Sequence, residues 1–161
     1  MAVDMFMKIT GLDGESKDAK HENSIDVLAW SWGLSQSGTG GHGGGGGAGK
    51  VNVQDLSFTK YIDKASPQLV LSCANGKHFG EAKLTVRKAG EKPLEYMKVT
   101  MVDVIITSVS TGGSGGEDRL TENVTLNFAK VKFSYTEQDA KGAAKSPAKE
   151  MTYSIAENVK E

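Results

Sequence analysis

Apolar and polar residues alternate along most of the chain, and the alternation slips by one position at several places. Val3, Met5, Met7 and Ile9 alternate with Asp4 and Lys8, which predicts a first strand. Ile25 and Val27 sit on odd positions, then Leu28, Trp30, Trp32 and Leu34 on even ones. Val51 and Val53 give way to Leu56 and Phe58 in the same manner. Ala82, Leu84 and Val86 alternate with Lys83, Thr85 and Arg87, and Met97 to Val109 is an almost continuously apolar strand, expected to be covered on both faces. Leu120, Val124, Leu126 and Phe128 share one parity; past Ala129 the apolar set moves to Val131, Phe133 and Tyr135. Met151, Tyr153, Ile155 and Val159 form a final strand. A slip turns side chains to the opposite face unless a bulge absorbs it. Slips in three strands favour a sheet that closes on itself. The expected fold is mainly β: a closed or tightly coiled antiparallel barrel with one short packed helix and long glycine-rich loops.

The interruptions are as informative as the strands. Ser66-Pro67 supplies an N-cap and a first-turn proline, Leu69, Val70, Leu71 and Cys73 are apolar, and Asn75-Gly76 ends a helix that must dock on the sheet to persist. Gln36 to Lys50 is so rich in glycine that it has little apolar surface to offset its ordering entropy. Gly112, Gly113, Gly115 and Gly116 flank Ser114 in a turn expected to use backbone angles closed to other residues. Trp30 and Trp32, two apart, share a strand face with Leu28 and Leu34 and are expected to act with Phe58 as packing or interface anchors. The run from Glu137 to Lys149 reads as a solvated loop. No linker and no repeat divides the chain, so residues 1–161 are expected to form one domain.

Charge is nearly balanced, with 19 basic and 20 acidic residues. Nothing in it favours nucleic acid or an anionic membrane surface. The lone Cys73 excludes an intramolecular disulfide and points to a reducing compartment. The N-terminus is no Sec-type leader, and no segment approaches the ~20 apolar residues of a membrane span. Export, if it occurs, is expected to need no cleaved leader.

Candidate chemistry weighs little. Gly44 to Lys50 fits G-x-x-x-x-G-K, but Val51 stands where a phosphate-binding loop needs a hydroxyl, and a strand follows where a helix is required. His21, His42 and His78 lack the spacing of a metal site, and Cys73 reads as a small buried hydrophobe. Glu117-Asp118-Arg119 reads as a solvated turn or an ion pair between subunits, and Asn123-Val124-Thr125 is a glycosylation pattern without context. No catalytic constellation, cofactor site or metal site is expected. The residues leave a second class open: a monomeric secreted β-barrel that binds a ligand through its loops.

Two long stretches, WSWGLSQSGTGGHGGGGGAGKVNVQDLSFTKYIDKASPQL and STGGSGGEDRLTENVTLNFAKVKFSY, resemble the Hcp (haemolysin-coregulated protein) family. The resemblance runs from Val3 to about Tyr135. It implies a structural subunit of the type VI secretion inner tube: a β-barrel with a helix at its side, assembled as a homohexameric ring. Rings stack into a tube, capped by a VgrG-type spike and driven by a contractile sheath. Such proteins start in the bacterial cytoplasm, carry small effectors in the lumen and are released without a signal peptide. The glycine-rich segment, with Gly38, Gly40, Gly41, His42, Gly43, Gly44 and Lys50, resembles the family's extended loop that reaches the adjoining ring. Gly112, Gly113, Ser114 and Gly115 are the candidate lumen contacts for an effector. With no further domain after its last strand, the chain is expected to be a plain tube subunit.

Overall fold

Strands that each bury one apolar face are stable only when those faces share an interior. In the computed structural model, which describes residues 3–38, 50–90 and 93–161, they do so by closing into a barrel. In chain order the elements are β1 (Val3–Ile9), β2 (Ile25–Ser31), β3 (Leu34–Ser35), β4 (Asn52–Val53), β5 (Leu56–Tyr61), α1 (Ser66–Asn75), β6 (His78–Lys88), β7 (Glu95–Thr111), β8 (Thr121–Tyr135), β9 (Lys149–Ser154) and β10 (Val159–Lys160). Every pairing is antiparallel. The cycle β8–β5–β2–β1–β6–β7 returns to β8 and makes a six-stranded barrel. Met7, Ile9, Leu56, Phe58, Leu84, Val99, Met101, Val104 and Leu126 fill its interior, with Leu69 of α1 among them.

The expected slips have two physical forms. β2 absorbs its slip as a bulge between Val27 and Ala29, and β7 carries another, between Ile106 and Ser108. At Ala129 no bulge forms. The pairs Val102–Lys130 and Val104–Phe128 stay in one register, while Asp103 adopts a left-handed φ of 55°. Both strands therefore kink together, and the inward set passes from Phe128 to Val131 on β8 and from Val104 to Met101 on β7. At this kink β8 exchanges one neighbour for another: residues 121–126 pair with β5, residues 130–135 with β9. Beyond the barrel, β7, β8, β9 and β10 thus continue as a half-sheet. The slip between Val53 and Leu56 is a change of sheet, because β4 pairs with β3 in a separate ribbon.

Several local expectations need correction. The apolar run of β7 is covered on one face only; Val102 points to solvent. Trp30 and Trp32 are half-buried against the core, but Leu28 and Leu34 are exposed, since the bulge and the end of β2 at Ser31 break the shared face. The last strand is two, β9 and β10, joined through a turn in which Asn158 has a positive φ. Ala65, not Ser66, occupies the N-cap position of α1. Asp63 Oδ1 accepts the Ala65 N–H (2.9 Å) and Ser66 Oγ accepts the Asp63 N–H (3.0 Å). Gly76, with φ 69°, ends the helix as expected. The glycines of the 112–116 turn are not in the left-handed region. A Cβ at Gly113 would meet the end of the exposed Leu120 side chain, which would have to turn aside.

Candidate functional site

The outer wall of the barrel has two unlike halves. Along β2, β5, the first half of β8 and the end of β7, the outward positions form rows fixed by register: Ser31–Ser57–Thr125–Ser108 and Ala29–Thr59–Asn123–Ser110. Tyr61 and Thr121 begin the next row. These side chains bond to one another. Thr59 Oγ1 donates to Asn123 Oδ1 at 2.6 Å, and Thr125 Oγ1 lies 2.7 Å from both Thr107 and Ser108 hydroxyls. Asp55 is a carboxylate among these polar side chains, and Asp26 is another, exposed at the start of β2. Thr107 Oγ1 (2.7 Å) and Asn127 Nδ2 (2.9 Å) occupy the two oxygens of Asp55. At the rim Arg119 stacks on Tyr61, with 3.7 Å between guanidinium carbon and ring centre.

The other half, on β1, β6, the start of β7, the end of β8 and β9, is charged. One row runs Lys8–Lys83–Thr100–Lys132–Thr152. Like charges on opposed strand positions are unfavourable, and acids relieve them: Lys8 pairs with Asp13 (2.9 Å), Lys98 with Glu95 (3.3 Å) and Lys132 with Glu150 (2.6 Å). Around this wall the 10–24 loop is pinned by Arg87, which donates to Asp18 and Asp4 and covers the Phe6 ring. The Arg87 hydrogen bonds hold the Asp18 carboxyl below its ordinary value, and Asp18 in turn raises that of Arg87. His21 stacks on Phe6 and lies 2.6 Å from Glu95. Burial pushes the Glu95 carboxyl up, but His21 and Lys98 together hold it below the usual range.

The uncharged half ends in two open edges. β1 pairs with β2 only at Ile25 and Asp26, so Leu28–Ser31 has a strand on its β5 side alone. β6 pairs with β7 only as far as Ile105, so the stretch 106–111 has β8 alone. The four-stranded face therefore offers an unpaired backbone edge at each side, pointing in opposite directions.

The candidate residues fall at different places. Gly112, Gly113, Ser114 and Gly115 form an exposed turn at the rim of the uncharged face, where β7 passes into β8. Ser114 O accepts the Glu117 N–H at 3.1 Å. Gly38, with φ 69°, and Lys50 flank the glycine-rich segment, whose two ends the β3–β4 ribbon holds together. Gly40, Gly41, His42, Gly43 and Gly44 lie outside the described residues. Phe58 is a core residue, while Trp32 packs on Phe133 and donates its Nε1–H to Gln54 O at 3.0 Å. Among the described residues no three His, Cys, Asp or Glu side chains converge on a metal position. No helix among the described residues is long and apolar enough to cross a membrane.

Sequence reasoning missed a buried charge cluster. Lys60 and Glu122 both point inward at the end of the barrel beneath α1. Lys60 Nζ donates to Glu122 (2.5 Å), Asp63 (2.9 Å) and Ser66 Oγ (3.2 Å), and Ser66 donates to Glu122 (2.6 Å). Parity was the available signal, for Lys60 follows Leu56 and Phe58, and Glu122 precedes Val124 and Leu126.

Comparison with known proteins agrees with this architecture. The sequence model of the family described as "Type VI secretion system effector, Hcp" matches residues 6–135. The chain is 62% identical over 160 residues to protein hcp1 of Pseudomonas aeruginosa, covering 99% of each. It is similar to the crystal structure of Hcp1 from Salmonella typhimurium, with a TM-score of 0.82, 43% identity and full coverage of both chains. A type VI secretion system effector from Yersinia pestis gives a TM-score of 0.77 at 40% identity, over 94% of this chain and 99% of that one.

Proposed function

The chain belongs to the Hcp family of type VI secretion proteins, and from that premise we propose that it is a structural subunit of the secretion tube. Six copies form a ring, and rings stack through the glycine-rich segment around Gly38–Lys50. The tube carries small effectors in its lumen, meets a contractile sheath outside and a VgrG-type spike at its tip, and leaves the bacterial cytoplasm without a cleaved leader. Its role is assembly and transport, not catalysis.

The observation that carries this reading is the pair of open edges on one uncharged face. An unpaired edge is a template for another strand. Two edges facing opposite ways on one chain suit a head-to-tail contact, which closes into a ring when the rotation allows. In that ring the edge of β7 pairs with the edge of β2 in the next copy. The uncharged face then lines the pore and the charged wall faces outward. A lining whose hydroxyls bond one another, and whose Asp55 is held by Thr107 and Asn127, offers passing proteins little charge to bind.

Size-exclusion with light scattering tests the assembly. A particle near six times the monomer mass, ring-shaped in negative stain, is the expected result. A monomer at all concentrations supports the ligand-binding barrel instead. For the lining, Thr59→Cys and Lys83→Cys are made in a Cys73→Ser background. A thiol reagent too bulky for the pore is expected to label residue 83 in assembled tubes and to spare residue 59.

A further inference from the structure

Between the 10–24 loop and the charged wall lies a cleft of about 300 Å³. β1 and β6 supply its base: Phe6 and Lys8 face outward, directly opposite Thr85 and Lys83. The loop crosses over them and contributes Lys20, Glu22 and Ser24 from the other side. His21, stacked on Phe6 with 4.4 Å between ring centres, adds a ring surface beside them.

Two properties of this cleft are not used by the fold. The first is a pair of hydroxyls. Thr85 is 4% and Ser24 3% exposed, and neither hydroxyl has a hydrogen-bond partner among the described residues. No fully enclosed side-chain oxygen of the described residues lacks a partner, so both hydroxyls are reached from the cleft that they line. Buried hydroxyls are ordinarily bonded, and these two can donate to an acceptor lodged between loop and wall. The second is charge. Lys20 and Lys83 form no ion pair among the described residues, and Lys83 directly opposes Lys8, which is unfavourable across two strands. Asp13 offsets Lys8 at 2.9 Å. Glu22 is the acid on the cleft itself, while Glu95 is taken by His21 at 2.6 Å and by Lys98.

We propose that this cleft binds a small phosphate-bearing anion, its phosphate held by Lys8, Lys20 and Lys83 with the Thr85 and Ser24 hydroxyls. Donors come from β1, from β6 and from the loop. A tetrahedral phosphate presents oxygens to all three, whereas a carboxylate is planar; lysine meets phosphate as a point charge. The volume stands at the lower end for small-ligand sites, about 300–1,000 Å³, so the ligand is free phosphate or a small phosphomonoester. The site lies on the charged wall and is the same in a ring subunit or a monomer. Its failure leaves the ring reading untouched.

Calorimetric titration of the full wild-type chain in Tris-chloride, with inorganic phosphate, glycerol 3-phosphate and acetate as probes, tests the site. Saturable binding of a phosphate probe, one per chain, is expected. The melting temperature is expected to rise with it, because the ligand ties the loop to the sheet. Tighter binding of the ester identifies a phosphomonoester; equal or tighter binding of inorganic phosphate identifies the free anion. Lys83→Gln is expected to weaken binding at least ~10-fold through one lost charge-assisted contact, and Lys83→Arg to retain it. Lys132→Gln, on the same row outside the cleft, is expected to bind like the parent. Thr85 Oγ1 bonds nothing in the described protein, so Thr85→Val is expected to melt like the parent and to bind more weakly. No saturable binding of either phosphate probe, or acetate bound as tightly, overturns the site. So does a melting shift that sodium chloride reproduces at equal ionic strength, or binding unchanged in both Lys83→Gln and Thr85→Val.

Discussion

Lys60 Nζ lies 2.5 Å from Glu122 Oε1, on directly opposed positions of β5 and β8, and neither side chain reaches water. Removing one partner of a buried ion pair leaves a charge that the interior does not solvate, at a cost of about 3–5 kcal/mol. Glu122→Ala is expected to lower stability by about that amount, toward the lower end because Asp63 also accepts from Lys60. The double variant Lys60→Met with Glu122→Leu is expected to lie nearer the parent than either single change. Chemical denaturation of Glu122→Ala, of Lys60→Met and Glu122→Leu singly, and of the double variant measures this. Equal losses in the single and double variants count against the pair as the source.

The loop from 10 to 24 is expected to loosen in acid. Arg87 holds the Asp18 carboxyl below its ordinary 3.8. A depressed carboxylate contributes stability above that ordinary value, and the contribution is lost as pH falls through the folded-state value. Asp18→Asn should therefore destabilise the protein at neutral pH, with a difference from the parent that shrinks as pH drops below 3.8. Melting temperatures at pH 7 and in acid measure it; a difference that grows in acid contradicts the assignment.

Trp32 connects the barrel to the half-sheet through Phe128, Phe133 and the Gln54 carbonyl. Truncation of a fully buried Trp costs about 3–5 kcal/mol. Trp32 is half-buried, so Trp32→Ala is expected to cost roughly 2 kcal/mol, plus the lost hydrogen bond. A parental unfolding curve shows that the indole adds nothing to the folded chain.

Shortening Gly40–Gly47 is expected to leave folded rings and to abolish stacking, since this segment brings few apolar side chains to a core. Negative-stain counts of rings and tubes provide the readout, and loss of the rings refutes the division of labour.

Ser114→Gln places volume at the rim of the uncharged face. It is expected to leave the ring and its melting temperature unchanged while lowering the amount of effector that co-purifies. Full effector retention makes the Gly112–Gly116 turn a connector only.

Parity made the barrel legible, because each bulge and kink appears in the sequence as a one-residue slip. What parity does not encode is which neighbour a strand has. The same slip marks a bulge at Val27, a sheet change after Val53 and a paired kink at Ala129. The uncharged face shows in the sequence as Thr and Asn on alternate positions of β8, but its extent needed the register of four strands. The short helix was found, yet the side it turns outward was hidden. Leu69, Val70 and Leu71 are equally apolar, and only docking decides which one is buried. Lys60 and Glu122 went unread because a charge is ordinarily assigned to the wet face.

The shared kink at Asp103 and Ala129 has a mechanical consequence. β7 and β8 cross it in unbroken register and stay paired as far as Thr111 and Glu122, with one bulge, between Ile106 and Ser108, on the way. The half-sheet and the barrel are thus joined by two paired strands and not by a loop, and bending between them is expected to fall at Asp103 or at that bulge.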